Sequence, residues 1–191
     1  MGCIYFSRLV APESHRRSYY PTNDLNVDFR IDPRDYPKYL YRVHVPGFSH
    51  TSYGTFDGFS CRAPGRLNVR NYLDLKWSLN NHLDHLSTAP SHLISLFYSE
   101  EDAYNWARWL LEEIGETHAQ IMRVRPRWIQ DHHNTHRFQL LNVGDILEEY
   151  PEMHPDYGHR SRMPESAYGE FAALYHIPAD AIDSILEVWV R

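Results

Sequence analysis

The sequence predicts an α+β protein, because runs typical of strands alternate with stretches that have helical periodicity. Aliphatic, aromatic and β-branched residues crowd into short runs at residues 39–45, 93–97 and 168–172. Residues 71–86 place Tyr72 and four leucines at spacings of three and four, which is typical of an amphipathic helix. A second helix is predicted after Ser99, whose acidic first turn and closing Gly115 are typical helix boundaries.

The other segments complete one domain, as the length of 191 residues favours. Four prolines among mixed charges make residues 1–37 an N-terminal arm or an irregular lead-in to a folded domain at 38–191. The polar segment 47–71 is interpreted as a long loop with room for a short strand. Further predicted elements are strands at 118–124, 137–141 and 182–190, a short helix at 144–150, and polar loops at 131–136 and 151–167.

Composition argues against some partners. The net charge is −6 and the pI is near 6.1, so there is no general attraction to nucleic acid, which needs a basic face. Nucleic acid is therefore disfavoured as a bulk partner, although not as a small substrate. The two cysteines, Cys3 and Cys61, are interpreted as free thiols.

The first residues carry no charged and apolar leader, and no apolar stretch approaches the length of a membrane span. We therefore expect no membrane span and a cytoplasmic location. Met1, Gly2 and Cys3 resemble the start of a lipid-anchored protein, but Phe6 stands where such a signal has Ser or Thr, and Ser7 comes one place late. N-terminal lipid anchoring is the minor alternative.

Each of the three strand-like runs presents a polar residue that could serve a site: Arg42, Ser95 and Glu170. A carboxylate such as Glu170 stabilises the cationic sugar that forms when a glycosidic bond breaks. Arginine offers a planar, permanently charged fork for a pyrophosphate or a ribose. The neighbours of Ser95 point to the opposite strand face, so its hydroxyl can face a cleft. The three residues together predict a site that binds an anionic nucleotide.

Several motifs in this order resemble fungal proteins related to the ADP-ribosyltransferase toxins. The resemblance covers residues 38–190 and rests on Leu40-Tyr41-Arg42-Val43, Asn81-His82-Leu83-Asp84, Leu93-Ile94-Ser95-Leu96, Ala103-Tyr104-Asn105-Trp106-Ala107, Gly169-Glu170-Phe171 and His176-Ile177-Pro178. It implies a split mixed β-sheet core with flanking helices, carrying an Arg, Ser, Glu signature that binds NAD as co-substrate.

Carried over residue by residue, the resemblance implies that Arg42 contacts the nicotinamide ribose or a phosphate, and that Ser95 buttresses the nicotinamide pocket. Glu170 would hydrogen-bond the ribose and stabilise the cation as nicotinamide leaves, and we expect its carboxylate to face the surface. His44 shares a strand face with Arg42, so it is a candidate cofactor-binding residue, with a packed or exposed histidine as the alternative.

The chain also departs from the toxin pattern. Toxins usually have Ser-Thr-Ser where this chain has Ser95-Leu96-Phe97, and Gln or Glu where it has Tyr168. Because that second position helps to choose the acceptor, Tyr168 is the candidate acceptor-recognition residue.

The predicted function is an NAD-dependent ADP-ribosyltransferase that acts on a protein or nucleic-acid acceptor. The alternatives are an NAD glycohydrolase, or a catalytically degenerate member that serves as a binding module. No metal is expected, because His132 and His136 lack a third ligand and are interpreted as part of a polar loop. The oligomeric state stays open.

Overall fold

The structure is a computed structural model that describes residues 24–25, 27–48, 51–84, 89–133, 138–154 and 170–190. These residues form nine strands, four α-helices and three short 3-10 helices, so the predicted α+β class is confirmed. The helices are α1 (Tyr72–Leu83), α2 (Glu100–Ile114), α3 (Pro126–His133) and α4 (Val143–Glu149). The strands are β1 (Leu40–His44), β2 (Thr51–Gly54), β3 (Gly58–Cys61), β4 (Leu93–Phe97), β5 (His118–Val124), β6 (Leu140–Asn142), β7 (Glu170–Leu174), β8 (His176–Ile177) and β9 (Ile182–Trp189).

The strands form two sheets. A six-stranded sheet has the order β6-β7-β4-β1-β5-β9, and a three-stranded sheet has the order β2-β3-β8. All of the described strand pairs are antiparallel, so the mixed strand directions implied by the resemblance are corrected.

The large sheet opens between its two central strands. β1 pairs with β5 along its whole length, from Leu40 to His44, whereas its described pairing with β4 is limited to Tyr41 opposite Phe97. β1 and β4 therefore diverge beyond that pair, and the gap between them lies beside Arg42 and Ser95.

The two faces of the large sheet are covered differently. On one face, α1 and α4 pack over β6, β7 and β4, and α2 packs over β1, β5 and β9. On the other face lie the small sheet and α3, in a core that includes Phe59, Ile177 and Ile129. Because strand side chains alternate between faces, neighbouring residues on β1 and β4 contribute to different cores.

The predicted helices and strands with strong local signals match the structure. β4 and β5 have the predicted bounds, and α2 begins after Ser99, whose hydroxyl accepts a hydrogen bond from the backbone N–H of Asp102 at 3.0 Å. The helix ends at Gly115, which has a φ of 72°, a conformation that favours glycine. Local capping chemistry therefore fixes this helix.

The polar segments differ more from their predicted structure. The expected loop at 47–71 contains β2 and β3, and the expected loop at 131–136 begins inside α3. Pro126 stops β5, but proline also fits the first turn of a helix, where its missing N–H has no intrahelical partner. The strand expected at 137–141 is β6, which begins at Leu140, and the helix expected at 144–150 is α4.

The described part of the irregular lead-in packs against the domain. Leu25 and Tyr36 are buried, the Tyr36 hydroxyl donates to the Phe138 carbonyl at 3.3 Å, and Arg127 Nε donates to the Tyr36 carbonyl at 2.7 Å. Among the described helices, none has both the length and the apolar character that crossing a bilayer requires.

Gly58 fixes the small sheet at the turn between β2 and β3. Its φ is +82°, and a Cβ built there would lie 2.1 Å from the carbonyl oxygen of Ile177 on β8. The close approach of two backbones therefore requires glycine.

We predict that Gly58→Ala destabilises the protein by at least about 3 kcal/mol, since it adds a backbone clash to an unfavourable φ. Gly65→Ala is the matched control, because Gly65 also has a φ of +82°, but a Cβ added there would meet nothing within 4 Å. The control should lose only about 1 kcal/mol. Urea unfolding measures both losses, and equal losses would contradict the prediction.

Candidate functional site

The candidate site lies where β1 and β4 diverge. Ser95 is the central residue of β4 and stands opposite Ala172, and Glu170 begins β7 opposite Phe97. Ser95 and Glu170 therefore lie on the sheet face that α1 and α2 cover. Arg42 belongs to the other face, with the small sheet, and reaches toward β4 because the two strands do not pair beside it.

A histidine on α1 joins Ser95 to Glu170. His82 Nε2 lies 2.7 Å from Glu170 Oε1 and 3.2 Å from Ser95 Oγ. His82 and Glu170 are each 1% exposed, so their interaction is shielded from water. A hydrogen bond in such surroundings is stronger than one at the surface. Removing one of the two partners leaves a buried polar group unpaired, which destabilises the fold.

Both polar partners of His82 meet the same imidazole nitrogen. A carboxylate only accepts hydrogen bonds, so the bond to Glu170 places a proton on His82 Nε2. Ser95 and Glu170 meet the same nitrogen, and His82 Nδ1 has no hydrogen-bond partner among the described residues. A Ser-His-acid triad needs its serine and its acid on different nitrogens, so this arrangement does not match a serine hydrolase.

Arg42 closes the gap between the two sheets. Its Nη1 donates to the Ser95 carbonyl at 3.2 Å, its Nη2 donates to Thr51 Oγ1 on β2 at 3.3 Å, and its guanidinium lies 5.5 Å from the centre of the Phe59 ring. Burial lowers the pKa of Arg42 to about 10, while the nearby charge of Glu170 opposes the shift. Arg42 therefore remains a cation at neutral pH.

A small cavity opens at this cluster, with a volume of about 40 Å³. Its lining includes polar residues, namely Arg42, Thr51, His82 and Ser95, and apolar residues such as Phe48, Leu93 and Trp106. Pockets for organic ligands usually have volumes of roughly 300–1,000 Å³. A dinucleotide therefore requires these walls to move apart.

His44 lies beside this cluster, on the same strand face as Arg42. Its ring centre lies 5.1 Å from that of Tyr53 and 5.5 Å from that of Phe59, and its Nδ1 has no hydrogen-bond partner among the described residues. Burial lowers the pKa of His44 to about 4, and the charges of Arg42 and His118 act in the same direction. His44 is thus a packed, neutral histidine.

The structure brings together three of the site residues proposed from sequence. Arg42, Ser95 and Glu170 form one connected cluster through His82 and the Ser95 carbonyl. The expectation that the Glu170 carboxylate faces the surface is wrong, since α1 covers this face and His82 binds the carboxylate. Tyr168 lies outside the described residues.

Two members of the cluster were missed as site residues. His82 lies on the apolar stripe of α1 beside Leu79 and Leu83, and a polar residue on a buried stripe was the available signal. Thr51 lies in the segment that was interpreted as a loop. Among the described residues, no group of three or more His, Cys, Asp or Glu side chains is arranged to hold a metal ion.

The fold and this cluster define an α+β domain with a buried Arg, Ser, His and Glu site at a split sheet. A family model described as "Domain of unknown function (DUF7587)" matches residues 35–188. This match spans most of the chain, so the protein belongs to that family. A comparison with curated proteins finds no match.

We predict that His82 and Glu170 are energetically coupled. His82→Leu should lower the free energy of unfolding by about 3 kcal/mol, because it removes the imidazole partner of a buried carboxylate. The double variant that also carries Glu170→Leu should lose less unfolding free energy than the two single variants lose in sum. The difference should be at least about 1 kcal/mol. Urea unfolding of the four proteins gives the coupling free energy.

His92 supplies the control for this cycle, since it is also buried but binds the Pro64 carbonyl rather than Glu170. Losses from His92→Leu and Glu170→Leu should add within about 0.5 kcal/mol. Additive losses for His82 and Glu170 as well would mean that their contact contributes nothing to stability.

We also predict a contribution of His44 to acid sensitivity. Its pKa in the folded protein, about 4, lies below the ordinary value of 6.5, so the folded state favours the neutral ring. This stability is fully present above pH 6.5 and is lost as the pH falls toward 4. Between pH 7 and pH 4.5, His44→Phe should lose about 2 kcal/mol less unfolding free energy than the parent protein. Parallel pH profiles of the two proteins would contradict this.

Proposed function

We propose that this protein is an NAD-dependent ADP-ribosyltransferase, which breaks the bond between nicotinamide and ribose and transfers ADP-ribose to a macromolecular acceptor. The observation that carries the proposal is the convergence of Arg42, Ser95 and Glu170 from three distant segments on one buried cluster. A cation, a hydroxyl and a carboxylate are the groups that such a reaction needs. Their arrangement also disfavours acyl transfer, because Ser95 and Glu170 share one nitrogen of His82.

In this proposal Glu170 acts on the sugar. As the glycosidic bond breaks, its electron pair leaves with nicotinamide, and positive charge develops on the ribose. A carboxylate placed beside that charge in a water-poor site stabilises the transition state. The acceptor nucleophile then bonds to the ribose carbon and releases its proton to the solvent. His82 holds the Glu170 carboxylate in place during these steps.

Arg42 would bind the anionic part of the substrate. Its guanidinium can form two parallel hydrogen bonds to a phosphate, and it is charged at neutral pH. In the described state, its Nη1 and Nη2 atoms donate to Ser95 and Thr51. We therefore propose that NAD binding exchanges these two contacts for phosphate contacts and separates β2 from β4, which enlarges the cavity.

Water can serve as acceptor in the same chemistry, which would make the protein an NAD glycohydrolase. The loop before Glu170 faces the acceptor in the related toxins, so acceptor choice is assigned to Tyr168 on the strength of the resemblance. The two reactions differ in their products. A transferase releases nicotinamide and attaches ADP-ribose to a macromolecule, whereas a glycohydrolase releases nicotinamide and free ADP-ribose.

A second candidate is a binding module without turnover. The small cavity favours it, since about 40 Å³ is far below the volume of a dinucleotide pocket. Glu170 is also already bound by His82 and shielded from solvent. This candidate predicts that NAD is neither cleaved nor bound tightly.

We expect the purified full chain to release nicotinamide from NAD, and Glu170→Gln to reduce the rate by at least about a hundredfold. The amide keeps the size of the side chain but removes the charge that stabilises the transition state. Chromatographic measurement of free nicotinamide gives both rates, with circular dichroism to confirm that the variant is folded.

Glu187→Gln is the matched control. Glu187 on β9 also binds a histidine, His118, but at the exposed face of the sheet. This variant should release nicotinamide at the parental rate. An inactive parent protein would favour the binding module, and equal losses in the two variants would remove Glu170 from the mechanism.

A further inference from the structure

The last strand, β9, lies at one end of the six-stranded sheet. Among the described residues it pairs only with β5, and its other edge is turned outward. Five consecutive residues, from Asp183 to Glu187, are exposed. An edge strand of this length presents backbone N–H and C=O groups that can pair with another strand.

The two acidic residues of the exposed stretch are held by side chains of the neighbouring strand. Proteins commonly prevent edge pairing with charges that resist burial. Here Asp183 forms ion pairs with Arg123 and with Arg125, the latter at 3.5 Å. Glu187 binds His118 and accepts a hydrogen bond from Gln120 Nε2 at 3.0 Å. Both carboxylates thus have side-chain partners on β5 or on the residue that follows it.

Apolar side chains dominate the rest of the exposed strand. Ile185 is 48% exposed, Leu186 is 43% exposed and Trp189 is 68% exposed. Ile185 and Trp189 share one strand face, and Leu186 lies on the other. A partner strand would therefore cover apolar surface on both faces of the sheet.

The charge pattern disfavours two of the registers in which β9 could pair with a second copy. In an antiparallel pair of identical strands, one residue stands opposite its own copy, because alternate residues direct their hydrogen-bonding groups outward. Centring on Ile185 would place Asp183 opposite Glu187 of the second copy, and centring on Glu187 would place that carboxylate opposite itself. Like charges directly opposite are destabilising.

Centring on Leu186 avoids both conflicts and overlaps more of β9 than centring on Ser184 or on Val188 does. Leu186 then stands opposite Leu186, Ile185 opposite Glu187, and Ser184 opposite Val188. No like charges are directly opposed in this register, and the overlap includes the regular part of the strand beyond the irregularity at Asp183. The strand is self-complementary, as a two-fold symmetric interface requires.

We propose that β9 joins two copies of this chain as antiparallel edge strands, with Leu186 on the two-fold axis, so that the two six-stranded sheets become continuous. The proposal does not depend on NAD turnover, since β5 and β1 separate β9 from β4 and its site residue.

Sedimentation velocity on the full chain tests the proposal, and we expect a dimer at about 10 µM protein, which corresponds to a Kd in the micromolar range. Leu186→Lys should weaken self-association at least tenfold, because it places two ammonium groups opposite each other. Leu73→Lys is the matched control, since Leu73 is an exposed leucine on α1 and should leave the dimer unchanged. A monomeric parent protein, or a dimer insensitive to Leu186→Lys, would overturn the proposal.

A crosslinking experiment tests the register independently of any effect on folding. Opposite residues of an antiparallel pair have Cα atoms about 4.5–5.5 Å apart, within the range that a disulfide spans. Leu186→Cys should therefore form a covalent dimer under mild oxidation. Ile185→Cys should not form a covalent dimer, because residue 185 stands opposite residue 187 of the second copy. The two cysteines are then two residues apart along the strands. Efficient crosslinking through residue 185, or none through residue 186, would refute the register. A neighbouring strand contributed by the same chain would also leave residue 186 uncrosslinked.

Discussion

The burial of opposite charges at the divergence of β1 and β4 constrains this structure more than any other interaction. Arg42 is 8% exposed and Glu170 is 1% exposed. A buried charge without compensation is very unfavourable, so each needs specific partners. Those partners come from separate elements: Ser95 on β4, Thr51 on β2 and His82 on α1. The cluster therefore fixes how the two sheets and α1 meet.

The same contacts determine what the proposed chemistry has to change. Arg42 Nη1 and Nη2 donate to protein oxygens in the described state, and a phosphate would have to replace those oxygens. Glu170 already has a fixed orientation, because the His82 imidazole holds it away from water. Pre-organisation of this kind favours catalysis, since the carboxylate need not reorient during the reaction. The opening of the cavity then becomes the conformational step that controls access.

The sequence predicted the elements that have strong local signals. β4 is a short apolar run, β5 largely alternates polar and apolar residues, and α2 has a capping serine and a closing glycine. For the segment that holds β2 and β3 the sequence predicts a loop with room for only one short strand, because its polar residues resemble a loop. β3 also pairs with β8, which is distant in sequence. α3 was missed because Pro126 signals both the end of a strand and the start of a helix.

The site was only partly predictable for the same reason. Single polar residues in apolar runs marked Arg42, Ser95 and Glu170, but periodicity alone does not show which strands become neighbours. The expected exposure of Glu170 is wrong, because α1 packs over its strand face and local sequence does not reveal this tertiary contact. His82 lies in one of the motifs of the resemblance, but a histidine on an apolar stripe is usually a packing residue, so the sequence alone assigns it no role.

The energetics of the cluster give the strongest general argument for a function here. Buried ion pairs are weak contributors to stability, and well-packed apolar residues of similar size often stabilise a fold as well or better. The surrounding strands already supply apolar neighbours, including Ile94, Leu96 and Met122. Stability alone therefore does not explain why Arg42 and Glu170 are buried at the divergence of β1 and β4. The proposed function would explain it, because that function needs a fixed cation and a fixed carboxylate in a water-poor place.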